Sequence, residues 1–82
     1  MIDDIWLFGI YDTKSDYGML MHMGAKSEVE TTYNAMLNGA RSSGLNEKAL
    51  YLIKSEDWIN KTTQKELLNN PEEFKNLVKG LI

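Results

Sequence analysis

The sequence predicts an α+β domain: a three-stranded antiparallel sheet of order 2-1-3, connected β-β-α-β-α, with a broken C-terminal helix. Three observations predict it. Ile5–Tyr11 and Ala49–Ile53 are short runs rich in β-branched and aromatic residues. Val29 to Ala40 carries apolar residues at helical spacing, and two helix-start signals follow one another after Thr62. Eighty-two residues suffice for one core, so residues 1–82 are read as a single domain.

The first run, bounded by Asp3-Asp4 and Asp12, has two apolar faces: Ile5, Leu7 and Tyr11 on one, Trp6, Phe8 and Ile10 on the other. A strand apolar on both sides is normally central and covered above and below, which sets the 2-1-3 order. Met19 to Met23 reads as its hairpin partner across a loop, roughly Asp12 to Gly18, that is rich in turn formers. Ser27-Glu28-Val29-Glu30 has capping-box spacing and opens a helix with the stripe Val29, Thr32, Tyr33, Met36, Leu37 and Ala40. Gly44 suits a left-handed stop.

Ala49–Ile53 forms the third strand. Ser55 is expected to cap a short turn carrying Trp58 and Ile59. Thr63-Gln64-Lys65-Glu66 repeats the capping-box spacing ahead of Leu67 and Leu68. Asn70-Pro71-Glu72-Glu73 restarts the helix, with Asn70 as cap and Pro71 in the first helical position. Phe74, Leu77, Val78 and Leu81 give the last stripe.

A magnitude bears on how such a sheet is covered. Three strands about 4.8 Å apart make a layer about 14 Å wide, which two helices about 10 Å apart cover once. If both helices lie on one face, the other is bare. An even-length hairpin loop groups Trp6, Phe8 and Ile10 with Met19, Met21 and Met23, leaving Ile5, Leu7, Gly9, Leu20 and His22 opposite. Neither set is polar. Either the C-terminal helices cross to the second face, or another chain covers it. The second outcome is preferred, because a half-covered apolar sheet is a normal signature of association and methionine beside aromatics adapts well to a partner.

Composition narrows the chemistry. There is no cysteine and one histidine, so neither disulfides nor a cysteine-built metal centre is available, and no metal or cofactor is expected. Nine basic against twelve acidic side chains weigh against nucleic acid, whose phosphates need clustered Lys and Arg. No stretch approaches the roughly 18 apolar residues of a membrane span, and the Met-Ile-Asp-Asp start lacks the basic residues of a secretion signal, so a cytoplasmic location is expected.

His22, between two methionines in a strand, has no orienting carboxylate at a readable spacing. Asp12 and Asp16, with Asp3 and Asp4, lack the pattern of a calcium loop and are better explained as turn chemistry. The segment around Arg41 and Ser42 could hold an anion, but it lies at a helix C-terminus, where the dipole repels one. No serine or threonine sits in a nucleophile-elbow context, so no catalytic residue is assigned and an enzyme is not expected.

The expectation is therefore a non-catalytic interaction module, a small accessory or inhibitory protein binding itself or another protein. Its candidate face is Trp6, Phe8, Ile10, Met19, Met21 and Met23. A phage or mobile-element inhibitor fits this description, as does any small regulatory subunit. The alternative is a small-ligand or nucleotide binder with a pocket between protomers, contacted by His22, Arg41, Ser42 and Tyr11.

Overall fold

The computed structural model describes residues 5–44 and 47–81; Asp3 and Asp4 lie outside them. The sheet contains β1 (Ile5–Asp12), β2 (Tyr17–Ala25) and β3 (Leu50–Ile53), ordered β2-β1-β3 and antiparallel throughout. Between β2 and β3 runs α1 (Lys26–Ser43), followed by a 3-10 turn (Glu47–Ala49). After β3 come α2 (Ser55–Trp58), α3 (Gln64–Asn69) and α4 (Glu73–Leu81). The expected fold class and strand order are both present. The third strand is one residue shorter than read, because Ala49 closes the 3-10 turn.

The helix ends follow the expected chemistry only in part. Thr63 caps α3, its hydroxyl accepting the Glu66 amide at 3.1 Å. The glutamate does not reach back; its carboxylate accepts the Thr62 hydroxyl instead. Gly44 ends α1 with φ at 79°, a left-handed conformation that costs glycine nothing. Ser27, however, is not a cap. The helix begins one residue earlier at Lys26, extended Ala25 precedes it, and the Ser27 carbonyl accepts the Thr31 hydroxyl. Ser55 likewise lies inside α2, with Lys54 at the cap position. The break near Asn69-Asn70 is present, but Asn70 closes α3 and Pro71 stays outside α4 in a turn of i,i+3 hydrogen bonds.

The register holds the main correction. Ile10 pairs with Met19 and Gly9 with Leu20, yet Phe8 pairs with His22, so Met21 is the extra residue of a β-bulge. Beyond a bulge every side chain changes face. Met19 therefore shares a face with Trp6, Phe8 and Ile10, while Met23 pairs with Leu7 on the opposite one. His22 moves the other way and joins the Phe8 face. The expected set Met19, Met21 and Met23 is thus divided by the bulge.

The two faces are covered by different helices. On the Leu7 face, Leu7, Tyr11, Ile53, Trp58, Leu67, Phe74, Leu77 and Val78 form one buried cluster, so α2, α3 and α4 all pack there. Trp58 anchors it, 1% exposed, its indole N–H donating to the Ile5 carbonyl at 2.8 Å. On the Phe8 face lies α1, with Tyr33 edge-on to Phe8 at 5.7 Å and Val29 fully buried. The expectation that one sheet face stays bare for a second chain is overturned, because the C-terminal helices cross to it.

Two glycines explain that crossing. A Cβ at Gly9 would lie 2.6 Å from both the Met19 carbonyl oxygen and the Phe74 ring, so the ring rests directly on the strand backbone. At Gly18 a Cβ would collide with Lys75, letting α4 approach the end of β2. The Leu20 amide, on the outer edge of β2, donates to the Pro71 carbonyl at 3.0 Å. That bond ties the helix break to the sheet and occupies an edge donor that would otherwise be open to another strand.

Candidate binding surface beside α1

One helix cannot cover three strands, and the Phe8 face shows it. Of its strand residues Phe8 alone is buried; Trp6, Ile10, Met19, His22, Leu50 and Leu52 are half-buried. Opposite, Leu7, Gly9, Tyr11, Gly18 and Ile53 are buried, while Ile5, Leu20, Met23 and Tyr51 are half-buried. The sheet's own residual apolar surface is therefore larger on the α1 side, although Leu68 on α3 and Leu81 on α4 are also exposed, 62% and 39%. Met21 in the bulge is 46% exposed and Met36 on α1 is 39% exposed. The Tyr17 hydroxyl points along β2 to the Met19 sulfur at 3.6 Å. Lys26 sits over the Trp6 ring at 5.2 Å, a cation–π contact that shelters one flank.

Of the six residues expected to form an interaction face, the structure brings Trp6, Phe8, Ile10 and Met19 onto one side of the sheet. Phe8 is sealed beneath Tyr33 and offers nothing to a partner. Met23 belongs to the opposite face and packs against the Leu7-side core.

The four residues of the small-ligand reading are not brought together. His22 is tethered to α1, its Nδ1 lying 2.7 Å from the Thr32 hydroxyl oxygen. Arg41 and Ser42 are exposed in the last turn of that helix, about 13 Å further along at 1.5 Å per residue. Tyr11 faces the other way. Its hydroxyl donates to Asp16 Oδ1 at 2.9 Å, and its ring lies 6.5 Å from that of Tyr51.

Asp16 is a structural hub. It takes a left-handed φ of 54°, tolerable for aspartate at the end of a hairpin loop. Its carboxylate also meets Lys79 at 3.3 Å and Lys75 at 3.7 Å, binding the loop to α4. The Tyr11 hydrogen bond, then Lys79, holds the Asp16 carboxyl below its ordinary value. The same bond, with the adjacent negative charge, pushes the Tyr11 phenol up.

A concavity of about 660 Å³ lies at the hairpin end of the α1 side. Its floor is Ile10, Ala49 and Leu50; its wall is the C-terminal half of α1, through Met36, Gly39 and Ala40. Asp12, Thr13 and Lys14 close its polar end. A signal for it was present in the sequence: Ala35, Gly39 and Ser43 place small residues at every fourth position, which keeps one stripe of α1 thin. Among the described residues no three acidic or histidine side chains gather as metal ligands, and no helix is long and apolar enough to cross a membrane. No family model, curated protein or solved structure matches this chain.

Proposed function

We propose that this chain is a non-catalytic interaction module that docks another protein surface, a second copy included, on the α1 side of its sheet. The unequal cover of the two faces carries the reading. The Leu7 side carries the buried cluster under three helices, while Trp6, Met19 and Met36 are left partly open around a single one, with Met21 exposed in the bulge of the edge strand β2. A domain of this size has a thin core, and closing such a rim against a partner is a common way to extend it. Thioethers on the rim suit this role, because an unbranched side chain repacks cheaply against an unfamiliar shape.

Light scattering and native mass spectrometry test the reading, on the purified chain and on the chain captured from its host. A complex of defined stoichiometry is expected, lost in Met21→Glu or Trp6→Ala and retained in Arg41→Ala. A chain that stays single under both conditions removes the proposal.

A further inference from the structure

We propose that the outer edge of β3 pairs with the same edge of a second copy, antiparallel about Leu52, joining two three-stranded sheets into one. This goes beyond the docking reading, which concerns the α1 side, and does not depend on it.

Two hydrogen bonds fix which way the β3 backbone points. The Leu20 amide is bonded to Pro71, so Leu20 exchanges no bond with Gly9, and Gly9 turns its own N–H and C=O toward β3. The Ile5 carbonyl, of the same parity along β1, accepts the Trp58 indole on that side. Because Gly9 pairs with Tyr51 and Leu7 with Ile53, those two residues of β3 bond inward. Leu50 and Leu52 therefore aim their N–H and C=O groups outward, and Lys54 continues the alternation in extended backbone.

The two edges of the sheet are not alike. The β2 edge carries the Met21 bulge and the Pro71 bond, both of which hinder a further strand from adding. The β3 edge, Leu50–Ile53, has no bulge, no proline and no charge. Among the described residues, the outward N–H and C=O of Leu52 make no hydrogen bond.

The pattern of open groups selects a second copy. The Lys54 carbonyl already accepts the Asp57 amide at 3.0 Å, which leaves its N–H. Leu50 follows directly on the 3-10 turn, whose i,i+3 bonding takes its N–H and leaves its carbonyl. The edge thus offers donors at Leu52 and Lys54 and acceptors at Leu50 and Leu52. A two-fold axis through Leu52 matches this set to itself. Each Leu52 exchanges both bonds with its counterpart, and each Lys54 N–H meets the opposite Leu50 carbonyl. The charges choose the same register. About Leu52, Lys48 of one copy comes level with the exposed Glu56 of the other; about Tyr51 it would face Lys54 instead. Leu52 then meets its counterpart on the Phe8 side, and half-buried Tyr51 meets Ile53 on the other. So short an edge makes a small interface, and a dimer in the micromolar-to-millimolar range is expected.

Amide hydrogen exchange by NMR across that concentration range is the test, with sedimentation to count chains. The Leu52 and Lys54 amides should gain at least tenfold protection as concentration rises, while the Leu20 amide, bonded within the chain, changes little. Leu52→Pro removes an outward N–H and keeps the bonds to β1, and it should weaken the dimer more than tenfold. Should that variant fail to fold, Leu52→Lys sets like charges directly opposite one another and carries the same expectation. Met21→Glu should leave the dimer intact. The proposal is overturned by a single chain at millimolar concentration, or by Leu52 exchange that ignores concentration. It is equally overturned by a dimer that Leu52→Lys spares and Met21→Glu abolishes, which would assign self-association to the α1 side.

Discussion

On the Leu7 side of the sheet, three short helices pack a core around Trp58 and Phe74; on the Phe8 side, one helix of 18 residues leaves every strand side chain but that of Phe8 at least partly open. Helix length is therefore not what closes a face. The short helices approach closely because Gly9 and Gly18 remove the side chains in their way, and they fill the space with Trp, Phe and Leu. The long helix turns Ala35, Gly39, Ala40 and Ser43 toward the sheet's hairpin end, and small residues there leave a channel. Close approach plus bulky side chains seals a layer. Either one alone leaves room.

The contrast breaks most sharply under truncation. Phe74→Ala or Trp58→Ala should each cost about 3–5 kcal/mol in urea unfolding, whereas Met36→Ala on the open side should cost less than about 1 kcal/mol. Comparable losses would mean that the two faces are equally consolidated. Glycine replacement sharpens the difference in a smaller range. Gly9→Ala drives a methyl into a carbonyl and the Phe74 ring and should destabilise by about 1–3 kcal/mol. Gly39→Ala should instead raise stability by about 0.5–1 kcal/mol, since it adds helix propensity over open space.

The smallest expected effect is electrostatic. The Asp16 carboxyl is depressed in the folded chain, so its contribution is fully present above its unfolded value near 3.8 and fades as pH falls through the lower folded value. Thermal melts should therefore fall more steeply with acidification below about pH 4 in the parent chain than in Asp16→Asn. Tyr11 is raised, so the same bond contributes below the ordinary phenol range and is lost as pH climbs through the higher folded value. Tyr11→Phe should flatten both limbs. Identical slopes in parent and variants would detach this cluster from stability.

Much of the fold was legible in short windows. The β-branched run from Ile5 onward, the stripe from Val29, the Thr63 cap and the break near Asn70 each depend on residues within a few positions of one another. The candidate surface was legible only in fragments. Trp6, Ile10 and Met19 were grouped correctly, because the register is regular from the turn up to Met19. Met23 and His22 were misplaced, because one extra residue at Met21 reverses everything beyond it, and nothing in the alternation of an all-apolar strand marks where that residue stands. The groove escaped notice because it is made by what α1 lacks. Spacing arguments weigh side chains that are present.

The sequence by itself determined the kinds and order of the elements, the central position of β1 and the lack of groups for disulfide or thiolate chemistry. Periodicity and capping are local, and composition needs no structure at all. Only the tertiary structure decided which face the C-terminal helices take, where the bulge lies and which apolar residues stay uncovered. Those outcomes rest on contacts between residues about fifty or more positions apart, Gly9 with Phe74, Gly18 with Lys75 and Leu20 with Pro71. Each is a question of whether two backbones can approach, and no window of neighbouring residues contains both.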